Sequence, residues 1–158
     1  MTALELQDAL MEDVAKTLKD VITEEESEEE ISGVKIFSQQ LPVITSDEED
    51  VSQFLPYAVI RILKGQTQEE EPWTVTAGIY LGVYDPGEEN QGHRHVMVMI
   101  QRIIDRFVSD PLLDNRYRAQ QEIQWELDTD PENHPYFFGV VWIAFSVPKI
   151  GRRLPIYD

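Results

Sequence analysis

The sequence predicts a single α+β domain in the order α-β-β-β-α-β-β, a small and mostly antiparallel sheet with two helices packed on one face. Three observations lead there. Trp73–Tyr84 alternates apolar residues with small, hydroxylated or aromatic ones without a break, as a strand with one buried face does. Two other segments repeat apolar residues at three- and four-residue steps, the helical period. A length of 158 residues suits one core, and a 42% hydrophobic composition with 3 Trp, 6 Tyr and 6 Phe can fill it.

Taken in order, residues 2–22 read as the first helix. Thr2 and Glu5 fit the T-x-x-E capping box, in which each side chain satisfies a free backbone N–H at the helix start. Leu4, Leu10, Met11, Val14, Leu18, Val21 and Ile22 make its apolar stripe, expected to pack on the domain. Residues 33–40 form a strand stopped by Leu41-Pro42. Residues 56–64 form a second, with Ala58, Ile60 and Ile62 alternating against Tyr57, Val59, Arg61 and Leu63. Residues 65–72 are a polar, acidic turn.

In the third strand Trp73, Val75, Ala77, Ile79, Leu81 and Val83 face the core. Thr74, Thr76, Gly78, Tyr80, Gly82 and Tyr84 face water or a neighbouring subunit. Asp85-Pro86-Gly87 breaks it, and Asn90-Gln91-Gly92-His93 leads into the second helix. That helix turns Val96, Met97, Ile100, Ile103, Ile104, Phe107 and Val108 inward and leaves Arg94, Gln101, Arg102, Asp105 and Arg106 towards solvent; Pro111 closes it. Two last strands, 117–128 and 136–147, are joined as a hairpin by the loop 128–135. The first of them sets Tyr117, Ala119, Ile123, Trp125 and Leu127 on one face. The second is apolar on both, as a central strand must be.

The formal charge is −17, and it is uneven: residues 1–50 hold 15 acids and 3 bases, residues 51–158 hold 15 and 10. Glu24, Glu25, Glu26, Glu28, Glu29 and Glu30 make one run, Asp47, Glu48, Glu49 and Asp50 another. Such runs are solvated linkers, at about 23–31 and 44–53, or a negative wall that keeps a passing polyanion from sticking. Residues 149–158 belong to no periodic element. They form a frayed end or an arm whose Arg152 and Arg153, flanked by Leu154, Ile156 and Tyr157, dock on an acidic neighbour.

Much chemistry is excluded. Zero cysteines rule out disulfides, thiol nucleophiles and cysteine zinc sites. The charge opposes a surface that coats DNA or RNA, which gains affinity by neutralising phosphates. The longest apolar run, Tyr136–Val147, falls well short of the roughly 20 residues that cross a bilayer, so no membrane is expected. His93 and His95 diverge by about 200° around a helix, and His134 lies in a turn. Asp128, Asp130 and Glu132 imitate a calcium loop but lack its sixth-position glycine and its closing glutamate. Glu122 and Glu126 stand about 13 Å apart along a strand, too far for a glycosidase pair. No nucleophile elbow, phosphate loop or dinucleotide fingerprint occurs. Neither a cofactor nor an enzymatic activity is expected.

The combination of Tyr80-Leu-Gly-Val-Tyr-Asp85, Asn90-Gln91-Gly92-His93-Arg94 and an amphipathic helix ending Phe107-Val-Ser-Asp-Pro111 resembles the tail-terminator (tail-completion) proteins of long-tailed phages and prophages. The likeness covers most of residues 33–147 and the element order. It implies a structural virion protein, assembled in the host cytoplasm, that forms a hexameric ring on the finished tail tube. Such a ring stops tube growth and offers the surface on which a head-completion (connector) protein joins. Genomic DNA then passes through without sequence-specific binding. Thr74, Thr76, Tyr80 and Tyr84 are the candidate contacts between copies, with Arg152 and Arg153, and the two acidic runs are candidates for lining the bore, where they would repel phosphates. A different class also fits the charge: a small acidic prophage module that mimics DNA or neutralises a basic toxin.

Overall fold

The computed structural model describes residues 2–19, 33–42, 55–67, 69 and 73–148. The two acidic runs, Val21 and Ile22 of the first helix, and the segment 149–158 lie outside the described residues. So does the Thr2 side chain of the expected capping box.

The observed order is α1 (Thr2–Thr17), β1 (Lys35–Ser38), β2 (Tyr57–Gln66), β3 (Trp73–Tyr84), α2 (Gly92–Ser109), β4 (Leu112–Leu113), β5 (Tyr117–Leu127) and β6 (Tyr136–Val147). The strands form one six-stranded sheet in the order β1-β2-β3-β6-β5-β4, with β1 parallel to β2 and every other pair antiparallel. This is the expected α+β architecture with one strand added.

The core lies between the helices and one sheet face. From β3 it takes Val75, Ala77, Ile79, Leu81 and Val83; from β6, Val141, Ile143, Phe145 and Val147. Above them sit Val96, Met99, Ile100, Ile103 and Phe107 of α2 and Leu6, Leu10, Val14 and Leu18 of the α1 segment. Both helices therefore cover the same face. Pairing of β3 with β6 runs unbroken from Trp73↔Val147 to Tyr84↔Tyr136, so alternation in one strand is matched in the other. A one-residue slip would turn both aliphatic rows to solvent, which is why the register is strongly specified.

Several details differ from expectation, each for a physical reason. The α1 stripe runs through Leu6, Leu10, Val14 and Leu18, one four-residue row, while Leu4 is 60% exposed. Gln7 lies beside that row and is buried, yet its amide is satisfied: Nε2 donates to the Ile60 carbonyl at 2.9 Å and to Gln39 Oε1 at 2.7 Å. In α2, Val108 is exposed and Met99 takes a core position, because the buried row runs Val96, Met99, Ile100, Ile103 and Phe107, and Val108 lies about 100° round the helix from Phe107. Arg106 is not a solvent residue. Its guanidinium grips Asp13 of α1 bidentately, Nε to Oδ1 at 2.9 Å and Nη2 to Oδ2 at 2.8 Å, and donates from Nη2 to the Leu112 carbonyl at 2.8 Å. It thereby ties both helices to β4.

The β4–β5 hairpin is absent from the expected order, although Asp114-Asn115 signals it. Both residues take left-handed backbone (φ 53° and 54°), and Arg116 N–H donates to the Leu113 carbonyl at 3.1 Å, a tight turn within the three-residue loop between Leu113 and Tyr117. Two extra residues of β5 bulge between Ala119↔Phe145 and Ile123↔Ile143. Because the insertion is even-numbered, Ile123, Trp125 and Leu127 keep the helix-side orientation the alternation predicts. Trp125 nevertheless stays 47% exposed, since it lies on an edge strand that the helices leave partly bare.

Candidate functional site

Among the described residues, the sheet face turned away from the helices gathers the candidate β3 residues on one continuous surface. Cross-strand register places its side chains in rows. Val59, Tyr80, Val140 and Glu126 form one; Arg61, Gly78, Trp142 and Gln124 the next; Tyr57, Gly82 and Phe138 a third. Thr74 and Thr76 continue the surface beside Ser146 and Ala144. All four candidate β3 contacts are thus brought together. Thr74, Thr76 and Tyr80 are half-buried, and Tyr84 is exposed.

The face is more apolar than a hydroxyl-bearing strand implies. Leu55, Tyr57 and Val59 form a small second cluster with Phe37, Leu41, Tyr80, Tyr136 and Phe138 around them. Its glycines are the places where rings lie down. A Cβ on Gly82 would come within 2.4 Å of Tyr57 Cζ, and one on Gly78 within 2.6 Å of Tyr80 Cε1. An aromatic ring covers a backbone that has no side chain of its own. Tyr84 and Tyr136 rings sit 5.6 Å apart, and the Arg61 guanidinium carbon stands 4.5 Å from the Tyr80 ring centroid, a cation–π contact. Burial pushes the Tyr57 phenol above its ordinary range, with the nearby Arg61 charge acting the other way.

The loop that follows β3 is built from the residues that carry the family resemblance. Asp85 Oδ1 accepts from Gly87 N–H at 3.0 Å, and Asp85 N–H donates to the Pro135 carbonyl at 2.9 Å, which fastens the loop to the turn before β6. Asn90 adopts φ 57°, a conformation its short side chain tolerates. Gly92 opens α2 against the Phe137 ring, where a Cβ would come within 2.2 Å of Cδ1. Gln91 Oε1 accepts from Arg94 Nε at 2.8 Å. These residues hold the helix start against β6.

Residues weighed for chemistry have structural occupations. Asp128 accepts from Asn133 Nδ2 at 2.6 Å and from Asp130 N–H at 3.3 Å, and Asp130 caps a short 3₁₀ turn, Pro131–Asn133, by accepting from Glu132 N–H at 2.9 Å. These acids shape the β5–β6 turn. His134 Nε2 lies 3.3 Å from the Gly87 carbonyl oxygen. Among the described residues, no group of three or more His, Asp or Glu is placed to hold a metal ion. No helix among them is long and apolar enough to cross a membrane. A groove of about 360 Å³ along α1 is lined by Glu5, Asp8, Glu12, Asp13 and Asp114 with Lys16 and Arg116, a solvated and largely acidic surface.

Arg152, Arg153 and the ten acids proposed for a bore lie outside the described residues. The feature that the sequence reading missed is the outer edge of β5. β4 pairs with it only at Tyr117 and Arg118, and among the described residues no strand pairs with 120–127 on that side. Asp114-Asn115, which ends β4 after two residues, was the available signal. No family model matches the chain, and no curated protein matches it.

Proposed function

We propose that the protein is a structural component of a phage virion, a ring subunit that caps the tail tube, halts its polymerisation and receives the head-completion protein. It acts by presenting surfaces to copies of itself and to tail components, without catalysing a reaction. The observation that carries this reading is the half-bare sheet: among the described residues the helices cover one face except at the β5 edge, while the other displays Tyr80, Tyr84, Tyr136, Phe138, Val140 and Trp142 at intermediate or greater exposure. A contiguous apolar face of this kind marks an interaction surface in a chain otherwise rich in charge. The resemblance of Tyr80–Asp85 and Asn90–Arg94 to tail-terminator proteins points the same way.

Electron microscopy of particles lacking the gene tests the proposal. Overlong, headless tails are expected; normal virions would reject it. Native mass spectrometry of the purified protein separates the ring from the acidic-decoy alternative, because a ring predicts a hexamer or association that rises with concentration. A decoy predicts monomers or dimers that bind a basic partner.

A further inference from the structure

The β5 edge, residues 120–127, combines three properties. Its outer side is unpaired among the described residues. Its helix-side row is apolar, with half-exposed Trp125 and partly buried Ile123, and its other row carries Gln124 and Glu126. Beside it, between the last turn of α2 and the β5 bulge, lies a groove of about 570 Å³ whose lining mixes apolar Phe107, Val108, Pro111 and Ile123 with polar residues that include Arg118 and Gln121. Val108, the most exposed large hydrophobic among the described residues at 67%, borders this groove.

An edge of this type recruits a strand whose side chains complement both rows. A second β5 does not: antiparallel pairing centred on Gln124 would set Glu122 opposite Glu126 of the other copy, and like charges directly opposite are destabilising. A basic strand with apolar residues at alternate positions does. Residues 149–158 supply one, holding Lys149, Arg152 and Arg153 out of 13 basic residues in the whole chain. Extended, they place Leu154 and Ile156 on one face and Arg153 and Tyr157 on the other, matching the apolar and acidic rows of β5. Pro155 has no N–H, so in an added strand it belongs where the backbone faces away from β5, and there it blocks any further strand.

We infer that residues 152–157 of one copy add as an edge strand to β5 of a second copy, with Leu154 and Ile156 entering the groove beside Val108 and Arg153 facing Glu126. This rests on the reading of the protein as a self-associating ring subunit. A donor segment on one side and an acceptor edge on another make a heterologous contact, the kind that closes rings. Within one molecule the segment follows β6 at Val147, where β4 already occupies the outer side of β5 opposite Tyr117 and Arg118. A second copy meets residues 120–127 without that obstruction.

Full-length protein, with association measured by sedimentation across a concentration series, provides the test. Arg153→Glu and Ile156→Asp should each weaken association about tenfold or more, and Arg153→Glu combined with Glu126→Arg should restore it. Hydrogen exchange at the amides of 120–127 should slow as wild-type protein is concentrated. Association that ignores all three substitutions, with exchange at 120–127 unchanged, would overturn the inference while leaving the ring intact. Protection of those amides at every concentration would overturn it too, by placing the segment on its own copy. Arm-dependent assemblies that fail to stop tube growth would instead reject the proposed function and leave the arm contact standing.

Discussion

The two faces of the sheet share the same strands but follow different packing rules. On the helix side, β3 and β6 present Val75, Ala77, Ile79, Val141, Ile143 and Phe145, aliphatic but for one ring and sealed by α1 and α2. On the other, the same strands present Thr76, Gly78, Tyr80, Gly82, Phe138 and Trp142. Rings there lie over glycines instead of interdigitating with a second layer. The difference teaches that period-two alternation separates a face that specifies the fold from one that the fold merely displays. Their responses to mutation should diverge accordingly.

The largest contrast is expected between β6 positions on opposite faces. Phe145 is fully buried and meets Phe107 edge-on at 5.5 Å between ring centroids. Phe145→Ala should cost about 3–5 kcal/mol by emptying the core. Val141→Ala, on the same row, should lose less because it deletes less volume. Trp142→Ala, although it removes a larger side chain, should cost the monomer only about 1–2 kcal/mol, because Trp142 is only partly buried on the open face. It should weaken association far more than Val141→Ala does. Chemical denaturation and sedimentation of the same variants would check both, and equal stability losses at 142 and 145 would break the comparison.

Next is the pair that closes the covered side. Arg106→Met should destabilise by about 2–3 kcal/mol, because the Asp13 carboxylate, largely shielded, loses a bidentate partner. Adding Asp13→Leu should recover part of that loss in a double-mutant cycle. A surface pair such as Lys16 with Glu12, 3.6 Å apart and well exposed, should contribute almost nothing.

The fold was legible where one period dominates. β3 begins and ends where its alternation does, β6 spans a run apolar on both faces, and burial on one face leaves the pair no freedom of register. It was less legible where tertiary contact overrides local pattern. Arg106 looks like any solvent-side helix arginine until Asp13 arrives from a segment 93 residues away in sequence. Gln7 is a polar residue beside an apolar row, and only β2 and Gln39 supply partners that let it be buried. The site was half legible: β3 announced Tyr80 and Tyr84. Their companions Tyr57, Phe138 and Trp142 needed the strand order, which no local pattern encodes.

Glycines sharpen the comparison at smaller magnitude. Gly139 lies under α2, where a Cβ would come within 2.6 Å of Val96 Cγ1 and 3.0 Å of Ile100 Cδ1. Gly139→Ala must push a helix away from the sheet, at a cost of about 2–3 kcal/mol. Gly82→Ala displaces the Tyr57 ring on the open side, where among the described residues no helix lies over it, and should cost about 1 kcal/mol. Denaturant midpoints order the two, and the reverse order would mean that the Tyr57 ring is as firmly held as a helix.

The smallest effect compares one buried tyrosine from each face. Tyr117 on the covered side and Tyr57 on the open side both have phenols raised above 10.0, in each case chiefly by burial, with Arg116 and Arg61 respectively opposing it. Below that value both are protonated in folded and unfolded chains alike, and neither makes stability depend on pH. Above it the unfolded chain ionises first and the native state holds more protons, so stability falls as pH climbs through the raised native values. Tyr57→Phe and Tyr117→Phe should each flatten this alkaline decline when denaturant midpoints are followed upward from pH 9. If the open face docks a second copy, as proposed, the little surface of Tyr57 still exposed is buried as well. Flattening by Tyr57→Phe should therefore grow with protein concentration, while flattening by Tyr117→Phe should not. Identical concentration dependence for the two variants would show that the two faces do not differ in assembly as their packing implies.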